Sequence, residues 1–374
     1  MRLDVYISPI NANGKYDSEV DITNHVLDKT NFKVIKSLEG QDFSIGSNTV
    51  DDIDIVCDNS QGLFSDNYYK SIFKYKRDLS RVRVSLDSKD IFLGVLAEES
   101  SRQNILHNIV KFKILSIDHV LNKLLFDQNS VTPGDSVLHA LKKIFTSHKT
   151  NTKEVLFEID DNAIIDGARY KRPYRLKEIV DGLSLLCNFW YLKKDFGYVF
   201  KSKNVKQDNA RDLSKHVVDI TNFNSGLHRV LNSLVINGIP SEQTPQTASS
   251  INSFGLKGKV IEAPFFQNEE NIKHLSAEVL KLYCAPKKEM QAKVPIDTGI
   301  DMELLDPVSI DIDRLYLNNK NGIVPYVGTF LVGDPYMKIP ASSNDLRLEC
   351  SDYYVIEIEH DINQLITTMK LREI

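Results

Sequence analysis

The stretch SFGLKGKVIEAPFFQNEENIKHLSAEVLKLYCAPKKEM, residues 253 to 290, sets two glycines and two lysines ahead of an amphipathic helix. That composition is suited to a phosphate cradle, in which backbone N–H groups and a lysine hold an anion at a helix N-terminus. The spacing argues against one. A P-loop needs four residues between its glycines and a hydroxyl residue after its lysine; here only Leu256 and Lys257 separate Gly255 from Gly258, and Val260 follows Lys259. The helix begins near Asn268, too far along the chain for its positive end to meet an anion held by the glycines. The glycines therefore read as turn and strand residues. Asn268 reads as the helix cap, Glu269 and Glu270 as charges at its positive end, and Ile272, Leu275, Val279 and Leu282 as its buried stripe, with Pro286 stopping continuation.

Other candidates fail on the same test of spacing. Asp195–Gly197 spells the kinase magnesium tripeptide, but no HRD loop or glycine-rich strand accompanies it, and a hairpin turn explains both Asp and Gly. GLSLL at 182–186 lacks the second glycine of a nucleophile elbow and lies inside a helical stripe. The nine histidines form no HExxH pair; His139 falls on the polar side of its helix, and His360 reads as an exposed residue near a strand end. Asp160, Asp161 and Asp166 cluster, but Ile164 breaks the alternation of oxygen ligands that a calcium loop needs. Asp311 and Asp313 share a strand face, and like charges there read as a solvated face. No catalytic, cofactor-binding or metal-ligating set emerges, and the sequence reads as non-enzymatic.

The elements around these residues are ordinary for a globular chain. Of 374 residues, 42% are hydrophobic and 26% charged, and 51 acidic against 46 basic residues give a net charge of −5. That balance argues against a grip on nucleic acid built on phosphate neutralisation. Cys57, Cys187, Cys284 and Cys350 form no CxxC and read as reduced core residues of a soluble protein made in cytoplasm. The start, MRLDVYISPI, alternates as a strand does rather than as a signal peptide.

Residues 1 to about 118 read as strands: Ile53 and Ile55 alternate with Asp52 and Asp54, Val82, Val84 and Leu86 lead through a polar turn at Asp87–Asp90 into Ile91–Leu96, and Ile109–Leu115 follows. Helical spacing then begins, with Thr132 as cap, Pro133 at the first position, and Val137, Leu138, Leu141, Ile144 and Phe145 on one face. A second helix carries Leu176, Ile179, Val180, Leu183, Leu186 and Cys187, and a hairpin follows it at FWYLKKDFGYVFKS. Residues 241–252, SEQTPQTASSIN, have no apolar pattern and read as a loop. The chain ends in strands on either side of a Gly-, Pro- and aromatic-rich excursion at 318–345. VDITN occurs at 20–24 and again at 218–222, but the surrounding residues do not match, so it is slender evidence for duplication.

As an ordered set these phrases resemble the phage tail-tip and baseplate hub proteins. The segment EVDITNHVLDKTNFKVIKSLEGQDFSIGSNTVDDIDIVCDNSQGLFSD is similar to that family's opening: a D-[IV]-T phrase, an alternating strand and an L-x-N-x-x-G-x-F close. IFLGVL resembles its returning hairpin. The stretch from NSLVINGIPSE to ELLDPVSID resembles its later signature, with Leu305 where the family's eLgDpV turn has glycine; a type I turn would tolerate that exchange. YYVIEIEHDI and TTMKLREI resemble its closing strands.

The resemblance implies an α+β, β-dominated fold: two tube-like β-barrel domains with two smaller peripheral α/β domains. Residues 1–120 with 206–240 would form the first barrel, 121–205 a small α/β domain, 241–300 a second, and 301–374 the second barrel. It implies a homotrimeric hub in the virion tail, adapting a sixfold tube to a threefold tip. Its partners would be the distal tail or tail tube protein, the tape measure protein, and tip spike or fibre proteins, with DNA only as a transient passenger in the lumen. No cofactor is implied. A receptor- or carbohydrate-binding module stays open beside it, with Tyr316, Tyr326, Phe330 and Tyr336 as a contact loop, as does a cell-wall hydrolase whose carboxylates converge only in space.

Overall fold

The computed structural model describes residues 1–27, 32–38, 49–50, 53–65, 69–73, 76–97, 102–104, 108–125, 131–147, 155–159, 163–167, 175–192, 197–202, 210–224, 226–310 and 351–373. The described residues divide into two compact units. One lies within Met1–Ser202, Ala263–Asn271 and His360–Gln364, the other within Lys203–Glu262, Ile272–Glu359 and Leu365–Ile374. The fold is α+β and dominated by strands, as expected.

The N-terminal strands are β1 (Leu3–Ile10), β2 (Val20–Asp21), β3 (Lys33–Ser37), β4 (Thr49–Val50), β5 (Ile53–Asp58), β6 (Lys76–Leu86), β7 (Lys89–Leu96), β8 (Arg102–Asn104) and β9 (Ile109–Ser116). They build a sheet in the order β2-β1-β6-β7-β9-β5, with β8 also on β9. Alternation drives it: Ile53, Ile55 and Cys57 of β5 and Val82, Val84 and Leu86 of β6 are all buried on one face. The β6–β7 hairpin turns on two residues, Asp87 (φ 46°) and Ser88 (φ 68°), the paired positive φ of a turn whose twist matches the strands. Both faces of β7 are buried from Ile91 to Leu96, and the 3-10 segment Ile117–Asn122 packs against it.

Next come α1 (Val137–Ser147), β10 (Val155–Glu158), α2 (Leu176–Ser184), β11 (Asn188–Leu192) and β12 (Tyr198–Ser202). β12 is central, parallel to β10 and antiparallel to β11. Tyr198 and Phe200 are buried against Phe145 of α1, Trp190 packs on Tyr198 and Phe200, and Trp190 Nε1 donates to Asp181 Oδ1 at 2.9 Å. The start of α1 differs from expectation. Thr132 and Asp135 form their own turn, Thr132 Oγ1 donating to Asp135 Oδ2, and Ser136 Oγ accepts from His139 N. Ser136, nearer the apolar stripe, takes the place expected of Thr132.

The remaining elements are β13 (Arg211–Asp212), β14 (Asp219–Asn224), β15 (Ser233–Ile236), β16 (Ile239–Pro240), α3 (Pro245–Phe254), β17 (Gly258–Ile261), α4 (Glu269–Tyr283), β18 (Glu289–Pro295), α5 (Ile296–Gly299), β19 (Pro307–Ile310), β20 (Ser351–Asp361) and β21 (Ile366–Glu373). β15, β16 and β17 make a small sheet in the order β16-β15-β17. The second large sheet runs β13-β19-β20-β21-β18-β14. The sequence reading grouped 206–240 with the first sheet; the described strands of that stretch pair instead with β19, β18 and β17.

Residues 241–252 are corrected from loop to helix for most of their length. Thr244 caps α3 in a reciprocal box with Thr247, and Pro245 opens it. Its buried face is made of Thr247 and Ser250, with Ser250 Oγ donating to Cys284 O, so a helix without an apolar stripe is held by hydrogen bonds. Leu305 is also corrected. Its φ of 64° is left-handed rather than that of a type I turn, and its side chain is fully buried.

The two large sheets share one strand order. In the first, a single short segment joins both ends. Val20 and Asp21 pair with β1, Ile22 N donates to Val5 O, then Val26 bridges Cys57 of β5 and Leu27 N donates to Val56 O at 2.8 Å. In the second, Arg211 and Asp212 run parallel to β19, Leu213 N donates to Ser309 O, then Val218 N donates to Lys293 O and β14 follows antiparallel to β18. From segment to segment the orders are β1-β6-β7-β9-β5 and β19-β20-β21-β18. In chain order β5, β6, β7 and β9 correspond to β18, β19, β20 and β21, and β1 is an additional strand. Both VDITN copies lie in these joining segments, the first along β1 and the second along β18.

Candidate functional site

The proposed contact residues Tyr316, Tyr326, Phe330 and Tyr336, the pair Asp311 and Asp313, and Asp160, Asp161 and Cys350 lie outside the described residues. The remaining candidates are placed. His139 is exposed on α1, 3.9 Å from Asp135. His360 is corrected: at 4% exposure it is buried in β20, not on an exposed edge. The Cys57 thiol is pushed up to about 12, by burial first and by Asp58 second, which suits an inert core residue.

The glycine–lysine stretch holds no anion cradle. Gly255 ends α3 at φ 75°, Gly258 opens β17, and the N-terminus of α4 is already filled. Asn268 Oδ1 accepts from Glu270 N (2.9 Å) and Asn271 N (3.2 Å), and the Asp166 carboxylate accepts from Gln267 N, Asn268 N and Asn271 Nδ2. A carboxylate of the same chain thus satisfies the helix start. Ile272, Leu275 and Val279 are buried as expected, and Leu280 and Tyr283 complete the stripe where Leu282 is half-buried.

The densest buried chemistry was not anticipated. It lies at one end of the second sheet, where Glu289 opens β18 opposite Arg372 of β21 and Asn224 of β14. Glu289 is 1% exposed and Arg372 3%. Arg372 Nε and Nη2 donate to Glu289 Oε1 at 2.9 and 2.6 Å, and Arg229 Nε lies 3.0 Å from the same oxygen. Glu289 Oε2 has no hydrogen-bond partner among the described residues, and Lys370 Nζ stands 3.9 Å away. Burial pushes the Glu289 carboxyl up, but Arg372, Arg229 and Lys370 together hold it below the ordinary carboxylate value. Burial and the neighbouring cations push Arg229 and Lys370 down. Gly226, at φ 68°, lets the preceding loop close, because a Cβ there would lie 1.9 Å from Lys287 O.

No alternation signal marks this cluster. Met290, Ala292 and Val294 carry the inward phase of β18, so Glu289 falls on the phase that sequence assigns to solvent. Arg229 comes from a 3-10 turn distant in sequence. The arrangement fixes the strand end electrostatically and offers neither a nucleophile nor an acid–base pair. Among the described residues no cluster of His, Cys, Asp and Glu could hold a metal ion, and no helix is long and apolar enough to cross a membrane.

No protein-family model matches the chain, and no curated protein matches it by sequence. Solved structures do. A tail protein from Neisseria meningitidis MC58 aligns over 99% of this chain and 96% of its own, with a TM-score of 0.57 at 9% identity. A tail protein of prophage MuSo2 from Shewanella oneidensis gives 0.55 at 9% identity, covering 99% and 96%. Prophage tail protein gp18 from Listeria monocytogenes EGD-e gives 0.50 at 11% identity, covering 99% and 94%. The chain shares the fold of these tail proteins over nearly its whole length.

Proposed function

We propose that this chain is a structural component of a phage-type tail, acting as a trimeric hub at the tail tip. The observation that carries the reading is the repeated strand order of the two large sheets, each joined end to end by a segment bearing VDITN. Two similar sheets per chain are what a symmetry adaptor requires. Each sheet would curl into a tube-like barrel, and three chains would set six barrels around one axis, matching a sixfold tube to a threefold tip. The small α/β elements would then lie at the periphery.

The ring would contact the distal tail or tail tube protein on one side and spike or fibre proteins on the other, with the tape measure protein and then DNA passing through its lumen. The mildly acidic chain suits a lumen to which DNA must not adhere. Mass photometry of the purified protein, with negative-stain imaging of any ring, tests the reading. A trimer showing six peripheral densities is expected; a monomer at every concentration, or an even-numbered ring, sinks it.

A further inference from the structure

One segment of the first unit comes from far along the chain. Ala263–Asn271 belongs to that unit, while Glu262 before it and Ile272 after it belong to the second. A segment that enters a unit and leaves it again depends on the bonds it makes there. Ala263, Phe265 and Phe266 are fully buried, whereas Asn268, Glu269 and Glu270 are exposed. The segment therefore has an apolar root and a polar outer half.

Its mount is firm. Residues 163–167 run beside the start of α1: Val137 N donates to Ala163 O at 2.9 Å, Ile165 N to Asp135 O at 2.9 Å, and Gly134 N to Ile165 O at 2.7 Å. From this mount Asp166 N and Gly167 N donate to Phe265 O at 3.2 and 3.3 Å. In return the Asp166 carboxylate accepts from Gln267 N, from Asn268 N at 3.0 Å and from Asn271 Nδ2 at 2.6 Å. Asn271 Nδ2 also reaches Ile164 O at 2.8 Å. Two glycines clear the way for the segment. A Cβ on Gly182 of α2 would lie 2.8 Å from the Phe265 ring, and one on Gly167 would strike the Gln267 side chain.

These bonds stand or fall together, because Asp166 contributes its N–H and both carboxylate oxygens to the same seam. Bonds to an ionised group are about twice as strong as neutral ones, and this charge also faces the positive end of α4. We propose that Ala263–Asn271 is a releasable strap with Asp166 as its catch. The strap opens as one piece, drawing out Phe265 and Phe266 and fraying the first turn of α4, while the body of the first unit stays folded. The inference concerns only this seam and holds whether or not the chain forms a ring.

The test is native-state hydrogen exchange on the full chain. The amides of Asp166, Gly167, Gln267, Asn268, Glu270 and Asn271 should share one opening, faster than that of the β12 amides. Asp166→Ala should speed all six by about tenfold or more and leave β12 unchanged. Chymotrypsin should then cut the variant after Phe265 or Phe266. If Asp166→Ala does not fold, Asn271→Ala replaces it, removing one half-buried donor and giving a smaller change in the same six amides. Unrelated rates among the six in the wild type overturn the strap, as does their opening only together with β12. Acceleration confined to Gln267 and Asn268, or spread equally to β12, overturns Asp166 as its catch.

Discussion

The two large sheets differ most where their strand orders agree. In the first, the start of β5 meets the end of β9 as Ile53 opposite Ile114, both buried. At the same place in the second, β18 meets β21 as Glu289 opposite Arg372, with Arg229 and Lys370 drawn in. One topology thus tolerates either an apolar or an ionic closure. The two closures respond differently to loss of a partner. An apolar pair loses contact area and leaves a cavity, whereas a buried ion pair that loses one member leaves an uncompensated charge.

The largest effect should come from Glu289→Ala, which strands Arg372 in the interior and should cost about 3–5 kcal/mol. Hydrogen exchange of the β18 and β21 amides would show it; a loss below 1 kcal/mol would remove the distinction between the closures. The same carboxylate gives the second sheet a pH dependence that the first closure lacks. Its folded pKa lies below the ordinary 4.5, so its contribution is complete above that value and is lost as pH falls through the folded pKa. In exchange measured from pH 6 downward, β18 and β21 should open before β5 and β9. Opening in the reverse order would contradict the assignment.

Ile114→Ala should cost about 2–4 kcal/mol, with no dependence on acid between pH 3 and 6; a urea series at both pH values checks it. Leu305→Gly relieves a left-handed leucine but forfeits a buried side chain, for a net loss of roughly 1–2 kcal/mol by chemical denaturation. A stabilised variant would show that the strain outweighs the packing. The smallest effect is a gain. Ser88→Gly at the positive-φ position of the β6–β7 turn should stabilise the first sheet by about 0.5–1 kcal/mol, read as a higher urea midpoint.

Local pattern carried well from sequence to structure, and long-range pairing did not. The alternation at Ile53–Cys57 and Val82–Leu86 and the stripes of α1, α2 and α4 predict their elements because each is set by neighbours a few residues away. α3 escaped notice because Thr247 and Ser250 bury its inner face with hydrogen bonds in place of apolar area. His360 continues the inward phase of Ile356 and Ile358 in β20, with Glu357 and Glu359 on the other phase, so the strand's own alternation carried its burial. The pairing of Asp219–Asn224 with β18 and the convergence of Arg229, Glu289 and Arg372 depend on segments far apart in the chain. The two VDITN copies differ in local structure, since one turns into a 3-10 segment and the other continues as a strand.

The two joining segments also impose different schedules on a chain leaving the ribosome. Val20 and Asp21 emerge after β1 and pair backward at once, so half of the first joint exists before the rest of its sheet has been made. Arg211 to Asn224 have no such neighbour waiting: β18 starts only at Glu289, β19 only at Pro307, and the small sheet with α3 and α4 is synthesised in between. Domains fold in the order they appear, and distant pairings form late. The second joint therefore closes later than the first, its strand waiting until β18 and β19 have emerged.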